Sequence, residues 1–272
     1  MPSDSLRLIA LLLPAGIFFS AFFLLPLGRL LLVGGSGASG YAAYAAILTQ
    51  PGYFASLLST LLVSAATTVI TVTISGIAGV FLQRNAFPGR SLLVAMLTLP
   101  LAFPGVVVGF MVIVLAGRQG LIGAATKALF DERIVFAYSM AGLLMGYVYF
   151  SIPRTILTIM ATAEKLDPRL EEAARSLGAT PWQVVRDVII PGLKPALISA
   201  GGICFATAMG AFGTAFTLAT RINVLPMVIY TEFTLQANIA IAAALSFVLG
   251  TVTWFALALA RSAAGASVAA AG

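Results

Sequence analysis

The chain is 272 residues long, 60% hydrophobic and only 9% charged, with a mean hydropathy of +1.06. Soluble domains carry about 25% charged and about 45–50% apolar residues, so this composition excludes a water-soluble fold and is that of an integral membrane protein. With no histidine and one cysteine, Cys204, a disulfide within the chain and a Cys/His metal cluster are excluded, and the net charge of +6 fits basic loops on one membrane face rather than nucleic-acid binding.

A membrane-crossing helix needs about 20 mostly apolar residues. Six windows satisfy this, at residues 8–32, 55–82, 92–116, 136–160, 196–220 and 238–260, and they predict an all-α integral membrane protein with a single transmembrane domain over 1–272. The first window resembles a signal peptide, but its apolar run exceeds the usual core of about 7–15 residues and no small-residue cleavage site follows directly. It is expected to be retained as a span. The second is rich in hydroxyls (Ser59, Thr60, Ser64, Thr67, Thr68, Thr71, Thr73, Ser75), which either bond back to carbonyls one turn earlier or line a wet pathway. Pro100 and Pro104 remove backbone donors and predict a kink in the third. Gly142 and Gly146 mark the fourth. The fifth places Gly202, Ala206, Gly210 and Thr214 four residues apart, a stripe that lets a neighbouring helix approach or exposes backbone to a solute. The tail from Ser262 to Gly272 is small and apolar and is expected to be disordered.

Residues 164–194, between the fourth and fifth windows, concentrate the charge: Glu164, Lys165, Asp167, Arg169, Glu171, Glu172, Arg175, Arg186, Asp187 and Lys194. Asp167-Pro168 is a helix start, with a carboxylate cap followed by proline at the first helical position. Glu171 and Glu172 then suit the positive end of the helix dipole. Leu170, Ala173, Ala174 and Leu177 form a narrow apolar face, and Gly178 can adopt the left-handed conformation that ends the helix. Thr180-Pro181 repeats the start signal for a second helix through Trp182, Val185 and Ile189, which Pro191 and Pro195 are expected to break. Such a segment either lies on the membrane surface or docks into a soluble partner. Alanines anchor poorly in lipid and glutamates do not attract anionic headgroups, which favours docking. Counting Arg154 with this loop, ten of the 15 lysines and arginines fall on its side of the membrane with the termini, and five, including Arg221, on the other. The excess predicts cytoplasmic termini and a cytoplasmic loop.

The acidic residues fall in loops or near span ends, and no hydrolytic constellation can be assembled without histidine, so catalysis is not expected. The same distribution argues against an ion-coupled secondary transporter, the main alternative. A scaffold subunit would explain the hydrophobicity but not the charged loop.

Glu172-Ala173-Ala174, Gly178 after three residues, and Val188-x-Ile190-Pro191 after nine more resemble the EAA loop of binding-protein-dependent ABC importer permeases. Val188 and Ile190 stand where that pattern has Ile and Leu. The resemblance covers roughly residues 55–260 and implies a type I importer permease core of five helices with the first span added, in a bacterial inner membrane. It implies that Glu172 makes a polar contact with a cytoplasmic ATPase, that Ala173 and Ala174 permit close approach, that Leu177 packs into its groove, that Gly178 turns the chain, and that Pro191 closes the motif. The chain has no G-x-x-x-x-G-K-[ST] phosphate loop, so no cofactor is expected on it, and ATP with its magnesium belongs to the ATPase dimer. A second, related permease chain, an extracytoplasmic solute-binding protein and membrane lipid complete the implied partners. Candidate pathway residues are Pro100, Pro104, Thr207, Gly210, Thr214 and Thr217, chosen as polar or kinked positions. The runs Glu164–Pro168 and Ala211–Thr214 are similar to those of permeases for polyamines, ferric iron, sulfate and aminoethylphosphonate, which implies a polyamine or 2-aminoethylphosphonate as cargo, with ferric iron or sulfate as alternatives.

Overall fold

The computed structural model describes residues 4–38, 40–218 and 222–264, so Arg221 and the tail beyond Ala264 lie outside the described residues. Every regular element described is helical. We number them α1 (Leu11–Gly34), α2 (Pro51–Arg84), α3 (Arg90–Thr98), α4 (Gly105–Ala116), α5 (Leu121–Phe130), α6 (Met140–Glu164), α7 (Pro168–Ser176), α8 (Pro181–Met209), α9 (Gly213–Leu218), α10 (Leu225–Leu235) and α11 (Ile239–Ala264).

Six segments are long and apolar enough to cross a membrane: α1, α2, Gly105–Phe130, α6, α8 and α11. The third of these contains a turn at Gly117–Gly120, and its contacts place the crossing earlier in the chain. At one end, the Arg90 side chain bonds Leu82 O and Gln83 Oε1 beside the end of α2. At the other, Ala116 O accepts from the amides of Phe136 and Ala137, just before α6 begins. The chain therefore traverses the bundle from Arg90 to Ala116, in agreement with the predicted window, and α5 lies beyond its far end.

The expected kink in this crossing is a full break. Leu99–Ala102 is a 3-10 turn and Phe103 and Pro104 are extended, because Pro104 has no amide to continue the ladder and disfavours helix at the residue before it. The fifth window is also cut. α8 stops at Met209, so Gly210 and Thr214 leave the predicted small-residue stripe, whose remaining Gly202 packs where an added Cβ would stand 2.8 Å from Ala260 Cβ. Pro191 and Pro195, in contrast, do not break α8. A π turn at Val185–Ile189 widens the helix just before Pro191, taking up the crowding of its ring, and the helix runs on into the bundle.

On α2 most large side chains face outward and most small ones inward, with Leu57, Val63 and Leu82 the buried exceptions. Along α2, Ser56, Thr60, Ser64, Thr67, Thr71, Ser75 and Gly79 are buried at spacings of three or four, while Leu58, Leu62, Val69, Ile77 and Phe81 are exposed. A soluble helix would reverse this order. In lipid, where apolar surface gains nothing by leaving the solvent, small residues win because they let backbones approach. At Gly79 an added Cβ would lie 3.3 Å from Ile156 O of α6. Ser56, Thr60, Thr68 and Thr73 bond back to carbonyls four residues earlier, whereas Thr60 also accepts from the Leu225 amide at 2.8 Å and Ser75 reaches Ile152 O at 3.5 Å.

α1 stands apart on α11, held where Gly34 meets Tyr44 and the Ala244 backbone and where the Tyr44 hydroxyl donates to Leu31 O. Gly37 meets Ala240 and Gly202 meets Ala260, so the described start of α1 and the end of α11 lie at the same end of the bundle as α7.

Gly146 in α6 tests this packing. Its added Cβ would stand 2.8 Å from Thr214 Cγ2, so Gly146→Val should destabilise the protein by about 1–3 kcal/mol. Gly52→Ala, with nothing within 4 Å, should be neutral. Thermal unfolding in detergent should separate the two.

Candidate coupling helix and translocation cavity

Two sites can be built from these elements, one at the end of the bundle and one within it. At the end, α7 has the predicted start and stop. Asp167 Oδ1 accepts the Arg169 amide at 2.9 Å and Pro168 occupies the first turn. Gly178 has φ of +86°, and the paired bonds Ala179 N to Ala174 O (3.0 Å) and Gly178 N to Arg175 O (2.9 Å) close the helix. A capping box then starts α8: the Thr180 amide bonds Gln183 Oε1 at 2.7 Å while Thr180 Oγ1 accepts the Gln183 amide at 3.4 Å.

This folding leaves an apolar face uncovered. Leu177 is 89% exposed, Trp182 66% and Leu170 56%, and Glu172 and Ala173 are exposed beside them. Ala174 is partly covered by the return of the chain. Pro191 lies two turns into α8 at its rim and is exposed. A short helix so firmly capped at both ends presents these side chains without ordering cost.

The sequence reading missed how α7 is held. Arg84, the last residue of α2, forms an ion pair with Glu171 (Nη2 to Oε1, 2.7 Å), and the same nitrogen lies 3.4 Å from Leu166 O. Of the two adjacent glutamates, Glu171 faces the bundle and Glu172 faces away. Helical geometry separates the two by about 100°. The available signal was a lone arginine ending an otherwise uncharged 34-residue helix.

Within the bundle, α4, α6, α8 and α9 surround a cavity of about 270 Å³ lined by Gly105, Tyr147, Phe150, Ser151, Thr207, Gly210 and Thr214, among others. Thr207, Gly210 and Thr214 are thus brought together. Pro100 is buried in the 3-10 turn, and Pro104 caps α4 without lining the cavity. Thr217 bonds Val106 O at 3.2 Å and packs on Gly109, a structural contact between α9 and α4. The Tyr147 hydroxyl donates to Ala211 O at 2.6 Å and Thr214 to Gly105 O at 2.9 Å, so both spend their donors on the break after α8.

The cavity continues through Phe150, Ser151 and Thr207 into a groove between α6 and α8 that also includes Arg154, Thr155, Thr158, Ile203 and Cys204. Here a reading made from the sequence is corrected. Arg154 does not belong to the charged loop. It sits two residues past the midpoint of the 25-residue α6, ten residues before its end, at about 15 Å along the axis. Its Nη1 is 3.5 Å from Thr207 Oγ1. Glu232 likewise is not in a solvated loop: it is 4% exposed in α10, accepting from the Tyr53 hydroxyl at 2.8 Å and from Asn238 at 3.3 Å.

Residues 71–264 match the family described as the binding-protein-dependent transport system inner membrane component. The chain belongs to that family. It is 36% identical over 190 residues to the molybdenum transport system permease protein ModB of Escherichia coli (strain K12), covering 68% of this chain and 81% of that one. It is 32% identical over 206 residues to the sulfate transport system permease protein CysT of the same strain, covering 76% and 73%. Over 274 residues it is 27% identical to the putative 2-aminoethylphosphonate transport system permease protein PhnU of Salmonella paratyphi A, covering 96% and 94%. Its fold matches a chain in the crystal structure of a bacterial alginate ABC transporter bound to its alginate-loaded periplasmic protein, with a TM-score of 0.81 over 94% of this chain and 93% of that one at 18% identity. Family and fold together make this inner-membrane component a type I ABC importer permease.

The ion pair yields a prediction. Arg84→Gln leaves Glu171 without its partner, so deuterium uptake over residues 167–179 should rise while α2 and α6 keep their protection. Unchanged uptake would show that the ion pair does not tether α7.

Proposed function

We propose that this permease is the membrane half of an ATP-driven, binding-protein-dependent importer and that a separate cytoplasmic ATPase grips it at α7. The observation that carries this reading is the uncovered Leu170 and Leu177 on a helix capped at both ends and tied to α2 by Arg84 and Glu171, with exposed Trp182 at the start of α8. In this reading Leu177 fills the ATPase groove, Ala173 and Ala174 allow close approach, Glu172 supplies a polar contact, and Gly178 sets the turn into α8. Movement of the ATPase pair on ATP is passed to α2 through the ion pair and to α8 through its continuous helix. ATP and magnesium stay on the partner. The five lysines and arginines of the 164–194 loop support a cytoplasmic address for α7 and for both described chain ends.

The translocation pathway requires a second, related permease chain, because the groove at Arg154 opens on the outside of a single chain. An extracytoplasmic binding protein delivers the cargo. We assign as cargo a small solute bearing a tetrahedral oxyanion. The relatives named for molybdenum, sulfate and 2-aminoethylphosphonate transport support this class. Arg154 and the absence of carboxylates among the groove and cavity linings support it over a polyamine.

Gly178 provides the test. A β-branched residue at φ of +86° is strained by about 1–3 kcal/mol, so Gly178→Val should re-aim Leu177 and abolish ATP-driven uptake or ATPase capture, while the protein still inserts in the membrane. Leu177→Asp should weaken ATPase capture without altering thermal stability, because the side chain touches little of its own chain. Normal uptake by both variants would refute docking at α7.

A further inference from the structure

We propose that Arg154, with Ser151 and Thr207, forms an oxyanion-binding station midway along α6, so that the permease itself selects for the charge of its cargo. The proposal rests on the importer reading above and assigns to this chain a selectivity that a delivery protein alone would otherwise supply.

The argument starts from cost. An arginine within a membrane-crossing helix is costly and persists where it faces water, a ligand or a counter-charge. Arg154 lies ten residues, about 15 Å, from the nearer end of α6. Among the described residues it has no acidic partner: the ion pairs are Arg84–Glu171 and Arg186–Asp187. The groove around it is lined by Phe150, Ser151, Thr155, Thr158, Ile203 and Thr207, with no carboxylate. Its one side-chain contact, with Thr207 at 3.5 Å, is long, and Thr207 spends its own proton on Ile203 O at 2.8 Å. The remaining guanidinium donors are therefore uncommitted.

The surroundings fit an anion rather than a structural counter-charge. Ser151 lies one helical turn before Arg154 on the same face and is the link between groove and cavity. The groove that Arg154 lines has a volume of only about 20 Å³; room for a small oxyanion lies in the adjoining cavity of about 270 Å³, which shares Phe150, Ser151 and Thr207 with the groove. The planar fork of arginine matches two oxygens of a tetrahedral oxyanion, and the Ser151 hydroxyl can add a donor to it. A site with one cation and neutral donors binds weakly enough to release its ion, which a translocation pathway requires.

The test uses the whole transporter, with both permease chains, ATPase and binding protein, in proteoliposomes. In a Cys204→Ser background, Thr207→Cys places a thiol beside Arg154, and its reaction with anionic and cationic methanethiosulfonate reagents is compared. Adding Arg154→Met should lower the anionic-to-cationic rate ratio about tenfold, since one charge at this range shifts local ion concentrations by that order. Arg154→Met should also cut uptake of sulfate, molybdate or 2-aminoethylphosphonate, whichever the wild type carries, by about tenfold, with Arg154→Lys retaining most of it. If Arg154→Met fails to assemble, Arg154→Lys and Ser151→Ala take its place: a reduced uptake in Ser151→Ala supports the station, and wild-type uptake in Ser151→Ala overturns it. An unchanged reagent ratio, or full uptake in Arg154→Met, overturns the station while leaving the importer reading intact. A wild-type transporter that carries none of the three anions overturns the cargo reading, whatever the reagents show.

Discussion

The constraint on which the rest depends is that lipid gives no reward for hiding apolar surface. Packing must come from close backbone approach, and hydrogen-bonding groups must find partners inside the chain. The seam between α2 and α6 is the result. Seven small residues of α2 turn inward, Ser56 and Thr60 bonding carbonyls of their own helix and Ser75 reaching Ile152 O of α6, while most of the large aliphatic side chains are left to the surroundings. This seam is the rigid strut to which both proposed sites are attached. α2 ends in Arg84, which holds α7, and α6 carries Ser151 and Arg154 on the face turned to α8.

Breaks in the helices place the cavity. Pro104 interrupts the crossing between Arg90 and Ala116, and α8 stops at Met209 before restarting as α9. The two interruptions meet where Thr214 bonds Gly105 O and Tyr147 bonds Ala211 O. Irregular backbone within a membrane is tolerable only where such partners exist, and the space left between the broken ends is the cavity. The π turn ahead of Pro191 works in the opposite direction, preserving a continuous α8 from the capping box at Thr180 into the bundle. A displacement of α7 thus has a mechanical route into the membrane.

Much of this was legible in the sequence. The apolar windows, the Asp167-Pro168 start, the Gly178 stop and the EAA-like spacing are local signals, set by hydropathy, caps and backbone conformation, and they led to the permease family before any contact was known. Reading the charge was less reliable. Arg154 lies in an apolar window but beside Pro153 and not far from a charged loop, and composition alone places it equally well inside or at the end. Glu171 and Glu172 are neighbours of identical chemistry, and nothing local tells which one faces Arg84.

What the sequence by itself determined, then, is the membrane, the number of crossings, the capped helix after the fourth and the family, because each follows from hydrophobicity or from dihedral preferences within a few residues. The tertiary structure decided which hydroxyls and charges share a space. It separated Pro100, Pro104 and Thr217 from the cavity, gathered Thr207, Gly210 and Thr214 into it, and placed Arg154 beside them. The relation of Arg154 to that group joins residues some fifty or more positions apart, and only the packing of helix faces can fix it.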